Sequence, residues 1–178
     1  MSEFEFLSVL VSIVIGLGLA HILKGSVSLA YKHRQLEPRL VYAIFLVFIF
    51  VLDWWTIIGW RDHTGWNFSD FLILITWAIS HYIAAIILYP LSDIEESASF
   101  PLKYFLLAFA AVAFLDILQT YVRGDIFEPW YYLPFVLHYV LLSIMGYFTD
   151  SHRFHRFLGW WFLIVTIVWA MIVRKYLL

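Results

Sequence analysis

Four ionisable residues lie inside long apolar stretches of this sequence, and they are its clearest candidates for chemistry. Asp53 and Asp116 each lie about two helical turns from one end of such a stretch, and His81 and His138 lie within two others. A carboxylate inside a membrane costs roughly 2.5–3.5 kcal/mol on insertion scales. It therefore needs a partner, a bound proton or access to water. We interpret these residues as candidates for an ion or proton path.

A structural interpretation of the same residues stays open. Shallow carboxylates can reach interfacial water, and a neutral histidine in a membrane usually hydrogen-bonds to a neighbouring helix. We expect Asp53, Asp116 and His138 to lie at a similar depth, where they can meet. His21 is expected nearer the opposite face of the membrane.

The apolar stretches have the length of membrane-spanning helices. Hydrophobic residues make up 63% of the 178-residue chain and charged residues 13%, whereas soluble domains contain about 45–50% apolar residues. A helix needs about 20 mostly apolar residues to cross a bilayer. We therefore predict an all-α integral membrane protein, a single polytopic domain over residues 1–178 with about six spanning helices and short loops. The predicted spans are 6–30, 40–60, 68–91, 102–122, 133–149 (the shortest) and 157–176.

Basic residues at the helix ends predict an orientation in the membrane. One side has Lys24, Lys32, Arg34, Arg39, Lys103, Arg153 and Arg156, and the other has Arg61, Arg123, Arg174 and Lys175. Because cytoplasmic loops are enriched in Lys and Arg, this modest excess predicts that both termini face away from the cytoplasm. The first apolar stretch follows Glu3 and Glu5 rather than a basic region. We therefore interpret it as a retained helix and expect a multi-pass protein of the cell membrane.

Two successive helical hairpins contain similar residues in the same order. The order is an Asp near the end of one helix, an Arg beyond it and a His-Tyr pair in the next helix. These residues are Asp53, Arg61, His81 and Tyr82 in the first hairpin, and Asp116, Arg123, His138 and Tyr139 in the second. Parallel repeats of this kind occur in transporters, but short matches also arise readily in apolar sequence of low diversity.

The first predicted helix has a row of small residues. Ser8, Ser12, Gly16 and Ala20 recur every four residues, which places them on one helix face. Small residues let two helix backbones approach closely in lipid. We expect this row to pack against another helix of the chain or, alternatively, against a second copy.

Two histidines three residues apart precede the last predicted helix. His152 and His155 have the spacing of a metal-binding pair on a helix, but Arg153 and Arg156 flank them and repel a cation. We predict no metal site here. We interpret the segment as a basic surface for anionic lipid headgroups.

Three classes of function agree with these observations. The chain has no cysteine, phosphate-binding loop, dinucleotide fingerprint or His-Glu-x-x-His motif, and a net charge of −2 without a basic block gives no indication of nucleic-acid binding.

We favour a proton- or small-ion-coupled transporter or channel, without catalytic residues or cofactor. The alternative is a non-catalytic membrane subunit or scaffold, whose partners are the bilayer, a second copy or another membrane protein.

A lesser alternative is a haem- or metal-binding membrane enzyme. Haem b needs two histidines that face each other at one depth. His81 and His138 are expected on neighbouring helices but about two turns apart in depth. The sequence therefore favours a non-enzymatic role.

Overall fold

Six helices make up most of the residues that the structure describes, and short stretches of sequence separate them. The computed structural model describes residues 2–32, 38–90 and 102–173. The helices are α1 (Glu3–Lys32), α2 (Pro38–Thr56), α3 (Phe68–Leu88), α4 (Leu102–Arg123), α5 (Tyr132–Tyr147) and α6 (His152–Val173). A 3-10 turn over Ile57–Trp60 extends α2. There is no β-strand within these described ranges. The predicted all-α membrane bundle is confirmed.

The helices differ in their ability to cross a bilayer. Five are long and apolar enough, namely α1, α2 with its 3-10 turn, α3, α4 and α6. The remaining helix, α5, has 16 residues, or about 24 Å at 1.5 Å per residue, whereas the hydrocarbon core is about 30 Å thick. The orientation stays a prediction, and Arg34, Arg174 and Lys175, on which it partly depends, lie outside the described residues.

Aromatic side chains fill the centre of the bundle. Helix α4 packs against α3 and α5, α1 packs against α3 and α2, and α2 packs against α6. Where four of the helices meet, six buried rings lie with centroids 4.9–6.5 Å apart. We call these residues the aromatic cluster: Tyr42, Phe45, Phe105, Phe109, Tyr139 and Phe162. Edge-to-face and offset ring pairs of this kind stabilise a core beyond the area that they bury.

The small-residue row of α1 contacts α2 at Ser12, whose Oγ atom accepts a hydrogen bond of 3.0 Å from the indole of Trp54, but the row is open at Gly16. A Cβ atom added at Gly16 would meet nothing within 4 Å, and Ala20 is also exposed. The buried face of α1 consists mainly of large residues, including Val11 and Ile22. Close approaches occur at two other glycines of α1: an added Cβ would lie 2.7 Å from the Phe50 ring at Gly18, and it would overlap the Tyr89 ring at Gly25. The expected packing of the row is thus seen at Ser12 but not at Gly16, and its alternative, contact with a second copy, stays a prediction.

The histidine pair near residue 152 belongs to a helix rather than to a connection. Helix α6 begins at His152, five residues earlier than the predicted span. The side chain of His155 is buried and its Nε2 atom lies 2.7 Å from the carbonyl oxygen of Thr149. The Tyr42 hydroxyl donates a hydrogen bond of 2.9 Å to the carbonyl of His155. His155 therefore stabilises the start of α6, while His152 stays exposed.

Candidate functional site

A carboxylate on α2 and an imidazole on α3 form a close pair. Asp53 lies in the last turn of α2, and its Oδ2 atom is 2.7 Å from Nε2 of His81. The side chain of His81 is 1% exposed and that of Asp53 is 14% exposed. The rings of Phe50 and Trp77 pack against His81 at centroid distances of 5.6 and 5.0 Å. This apolar enclosure keeps water away from the imidazole.

The partners of His81 determine where its protons are. Its Nδ1 atom lies 2.8 Å from the carbonyl oxygen of Trp77. A carbonyl oxygen only accepts, so Nδ1 must be protonated and donate. The short contact between Nε2 and Asp53 then requires one further proton, held by either atom. His81 and Asp53 together thus share one proton and have no net charge.

The second carboxylate belongs to a network of neutral groups on α4 and α5. The Gln119 side-chain amide donates to Oδ1 of Asp116 at 3.1 Å, and the hydroxyl of Tyr132 donates to Oδ2 at 2.8 Å. The Tyr132 hydroxyl also lies 2.8 Å from Oγ1 of Thr120. The indole of Trp60 donates to the Gln119 carbonyl oxygen at 2.8 Å. The position of Asp116 is therefore fixed by four polar side chains, directly or through Gln119.

Both carboxylates line one cavity of about 650 Å³ between the helices. At one end its lining includes Arg123 and the connection residues Asp125 and Glu128, and we call this end the Arg123 end. Along α4 the lining continues from Arg123 to Phe109, a length of about 21 Å on an α-helix. Phe109 and Tyr139, both members of the aromatic cluster, line the cavity as well. The cavity therefore extends from the Arg123 end to the aromatic cluster.

An arginine lies at one end of the cavity, beside the connection between α4 and α5. Nε of Arg123 lies 2.7 Å from Oδ2 of Asp125, and its Nη1 atom donates to the carbonyl of Thr56 at 3.3 Å. A Cβ atom added at Gly59 would lie 2.5 Å from Nη1. Gly59 thus leaves the room that the guanidinium needs to reach α2 from α4.

The structure brings together three of the four candidates identified from the sequence. Asp53, His81 and Asp116 line the same cavity, while His138 is absent from its lining. The His138 ring packs against Tyr139, and its Nδ1 atom contacts the carbonyl of Phe135. Its expected meeting with the two carboxylates does not occur, because its side chain extends along α5 instead. His21 is also outside the site, with Nε2 donating to the carbonyl of Tyr89 at 2.6 Å.

The two hairpins of the suggested repeat form different contacts. In the first hairpin the carboxylate of Asp53 pairs with His81. In the second, Asp116 pairs with Tyr132 and Gln119, and His138 does not take the place that His81 has. The similar order of residues therefore does not produce a repeated site.

Three polar residues of the site, Gln119, Thr120 and Tyr132, were not predicted from the sequence, and Arg123 was noted only for its charge and for its place in the suggested repeat. Gln119, Thr120 and Arg123 follow Asp116 at intervals of three, four and seven residues. This spacing places all four on one face of a helix. A search for polar residues with helical periodicity would have found Gln119 and Thr120. It would not have found Tyr132, because the contact of Tyr132 with Asp116 depends on how α5 packs against α4.

The donor set gives little support to a bound metal or haem. In the described ranges, no three His, Asp or Glu side chains are placed to hold a metal ion together. Both ring nitrogens of His81 already have partners, so neither is free to ligate haem iron. The pair of His81 and His138, on which the haem-binding alternative depended, is therefore not available to haem iron in the described structure.

The fold and the site together define a multi-pass helical membrane protein with ionisable side chains around an internal cavity. No family model matches the chain, and neither the curated proteins nor the solved structures include a significant match.

Proposed function

We propose that this protein is a small transporter or channel of the cell membrane that couples passage through the bundle to protons. The observation that supports this proposal is the contact of 2.7 Å between His81 and Asp53 in the lining of a cavity. Ionisable groups within membrane spans are costly, and they commonly belong to ion or proton pathways. A second carboxylate, Asp116, lines the same cavity.

The pair can act as a proton carrier because its charge changes when one proton is gained or lost. With one shared proton the pair is neutral. A second proton makes it cationic, and loss of the shared proton makes it anionic. Either charge is unfavourable in this apolar enclosure, so a change of protonation favours rearrangement of α2 relative to α3. In this mechanism Asp53 and His81 bind the proton, and Asp116 lies next along the cavity.

Flux measurements in liposomes test the proposal. The purified protein is reconstituted with a pH-sensitive dye inside the vesicles, and a pH gradient is applied in the presence of a potassium ionophore. We expect proton flux above that of empty vesicles. Asp53→Asn keeps the shape of the side chain but removes its titration, so the flux should fall at least about tenfold.

His138→Gln is the matched control, because His138 is an intramembrane histidine outside the cavity lining. This variant should keep the parent flux. Flux that survives both Asp53→Asn and Asp116→Asn would mean that the path does not involve these carboxylates. A parent protein without flux under any gradient would rule out proton-coupled passage.

The second candidate is a non-catalytic membrane subunit. The observation that favours it is the open space beside Gly16 together with the exposed Ala20 on the same face of α1. Such a surface suits a neighbouring helix, from a second copy or another membrane protein. Under this alternative, Gly16→Leu would disrupt the assembly without changing the stability of the monomer.

A further inference from the structure

The charges around the cavity do not balance. His81 compensates Asp53, and Arg123 compensates Asp125 at 2.7 Å. Asp116 and Glu128 also line the cavity, and neither has an ion-pair partner within the part of the chain that the structure describes. When Asp116 and Glu128 are ionised, the lining has an excess of two negative charges and attracts cations.

Asp116 has acceptor capacity left for a ligand. Its two donors, Gln119 and Tyr132, are neutral groups, and each forms one hydrogen bond to a different carboxylate oxygen. An ionised carboxylate offers about four acceptor positions. Two positions thus remain for hydrogen bonds from a cation in the cavity, and such charge-assisted bonds are stronger than bonds between neutral groups.

The size and the apolar part of the lining indicate an organic ligand rather than a bare ion. Organic ligand sites typically have volumes of about 300–1,000 Å³, and this cavity has about 650 Å³. Aromatic side chains contribute much of its lining: Trp55, Phe109, Tyr132, Phe135, Tyr139 and Trp169. Aromatic ring faces attract cations, most strongly where water is excluded.

We infer that the cavity binds a small organic ammonium ion, with the Asp116 carboxylate accepting its N–H groups and the aromatic lining surrounding its carbon atoms. This inference concerns the same cavity and rests on the proposed function, for which it names the class of substrate. An organic anion fits less well, because the one arginine of the lining is already paired with Asp125.

Binding to the purified full-length protein in detergent tests the inference without any gradient. Three probes of similar size and different charge are compared by isothermal titration calorimetry: benzylammonium, benzyl alcohol and benzoate. Titration into empty micelles corrects for partition into detergent. We expect saturable binding of benzylammonium at concentrations below about 10 mM. The neutral and anionic probes should bind at least about tenfold more weakly, because they cannot form a charge-assisted bond to Asp116.

Asp116→Asn should weaken benzylammonium binding at least about tenfold. Asp62→Asn is the matched control, since Asp62 is exposed and absent from the cavity lining, and it should leave binding unchanged. The comparison of the three probes uses the parent protein alone. It therefore tests the inferred ammonium binding even if the Asp116→Asn variant does not fold.

Any one of four results would overturn the inference. These results are equal binding of the three probes, stronger binding of benzoate, no saturable binding of benzylammonium, and unchanged benzylammonium binding by a folded Asp116→Asn variant. The outcome is separable from that of the flux experiment. Ammonium binding without proton flux contradicts the proposed function and leaves the binding site intact, whereas proton flux without ammonium binding contradicts only the inferred substrate class.

Discussion

Replacing His81 by Leu should destabilise the protein strongly, and adding Asp53→Asn should restore part of the stability. In His81→Leu the carboxylate of Asp53 loses the partner at 2.7 Å while 86% of its surface stays buried, given its 14% exposure. Removing one member of a buried pair costs about 3–5 kcal/mol. We expect His81→Leu to lower the free energy of unfolding by about 3 kcal/mol, at the lower end of this range, because the residual exposure gives the Asp53 carboxylate some access to water.

The other two variants should cost less. In Asp53→Asn the amide can still donate to Nε2 of a neutral His81. This variant should therefore lower the free energy of unfolding by about 1 kcal/mol. The double variant lacks the hydrogen bond between residues 53 and 81 but leaves no unpaired charge. We expect its free energy of unfolding to be about 1–2 kcal/mol below that of the parent protein. The double variant should therefore be more stable than His81→Leu alone, with a coupling free energy of about 2–3 kcal/mol.

The free energies of unfolding can be measured by titrating SDS into mixed micelles and following the far-UV circular dichroism. The control cycle combines Asp53→Asn with His138→Leu, because no contact joins these two residues, and it should be additive within about 0.5 kcal/mol. If the Asp53–His81 cycle is additive to the same degree, the two side chains do not share a proton. The proton-carrier mechanism would then be wrong.

Two further predictions use the same unfolding assay. Gly18→Ala places a Cβ atom 2.7 Å from the ring of Phe50, which is buried, and should destabilise the protein by about 1–3 kcal/mol. Gly16→Ala meets nothing within 4 Å and should be neutral or stabilising by up to about 1 kcal/mol, so equal effects of the two substitutions would contradict the described packing of α1. Asn67→Ala removes the side chain that caps α3 together with Asp70 and should cost about 1 kcal/mol. Unchanged stability would mean that the first backbone amides of α3 have other acceptors.

The sequence was sufficient to predict the helices because membrane spans are recognised by length and apolar composition alone. It was also sufficient to identify Asp53 and Asp116, since an ionisable residue in an apolar span has an energetic cost that requires an explanation. The choice of partner was not predictable in the same way. His138 was expected beside the carboxylates on the basis of depth, but contact also depends on the rotation of each helix. In the structure, the rotation of α3 about its axis places the imidazole of His81 next to Asp53.

The packing of α1 illustrates a second limit of the sequence. In a soluble protein the buried face of a helix differs in polarity from the exposed face. In α1 both faces are apolar, because lipid covers the exposed one. From the sequence, either of two rows could be the buried side of α1: the row with Gly16 or the row with Val11 and Ile22. In the structure, the row with Val11 and Ile22 is buried where α1 packs against α3 and α2.

The short length of α5 has a consequence for the lipid around the protein. If α5 crosses the membrane, its length of about 24 Å is shorter than a hydrocarbon core of about 30 Å. The bilayer would then become thinner beside α5, or the residues that flank α5 would reach further into the headgroup region. Tyr132 stands at the first position of α5 and donates to Asp116 at 2.8 Å. In that case we expect lipid chain length to affect the position of Tyr132 and, through it, the Asp116 carboxylate.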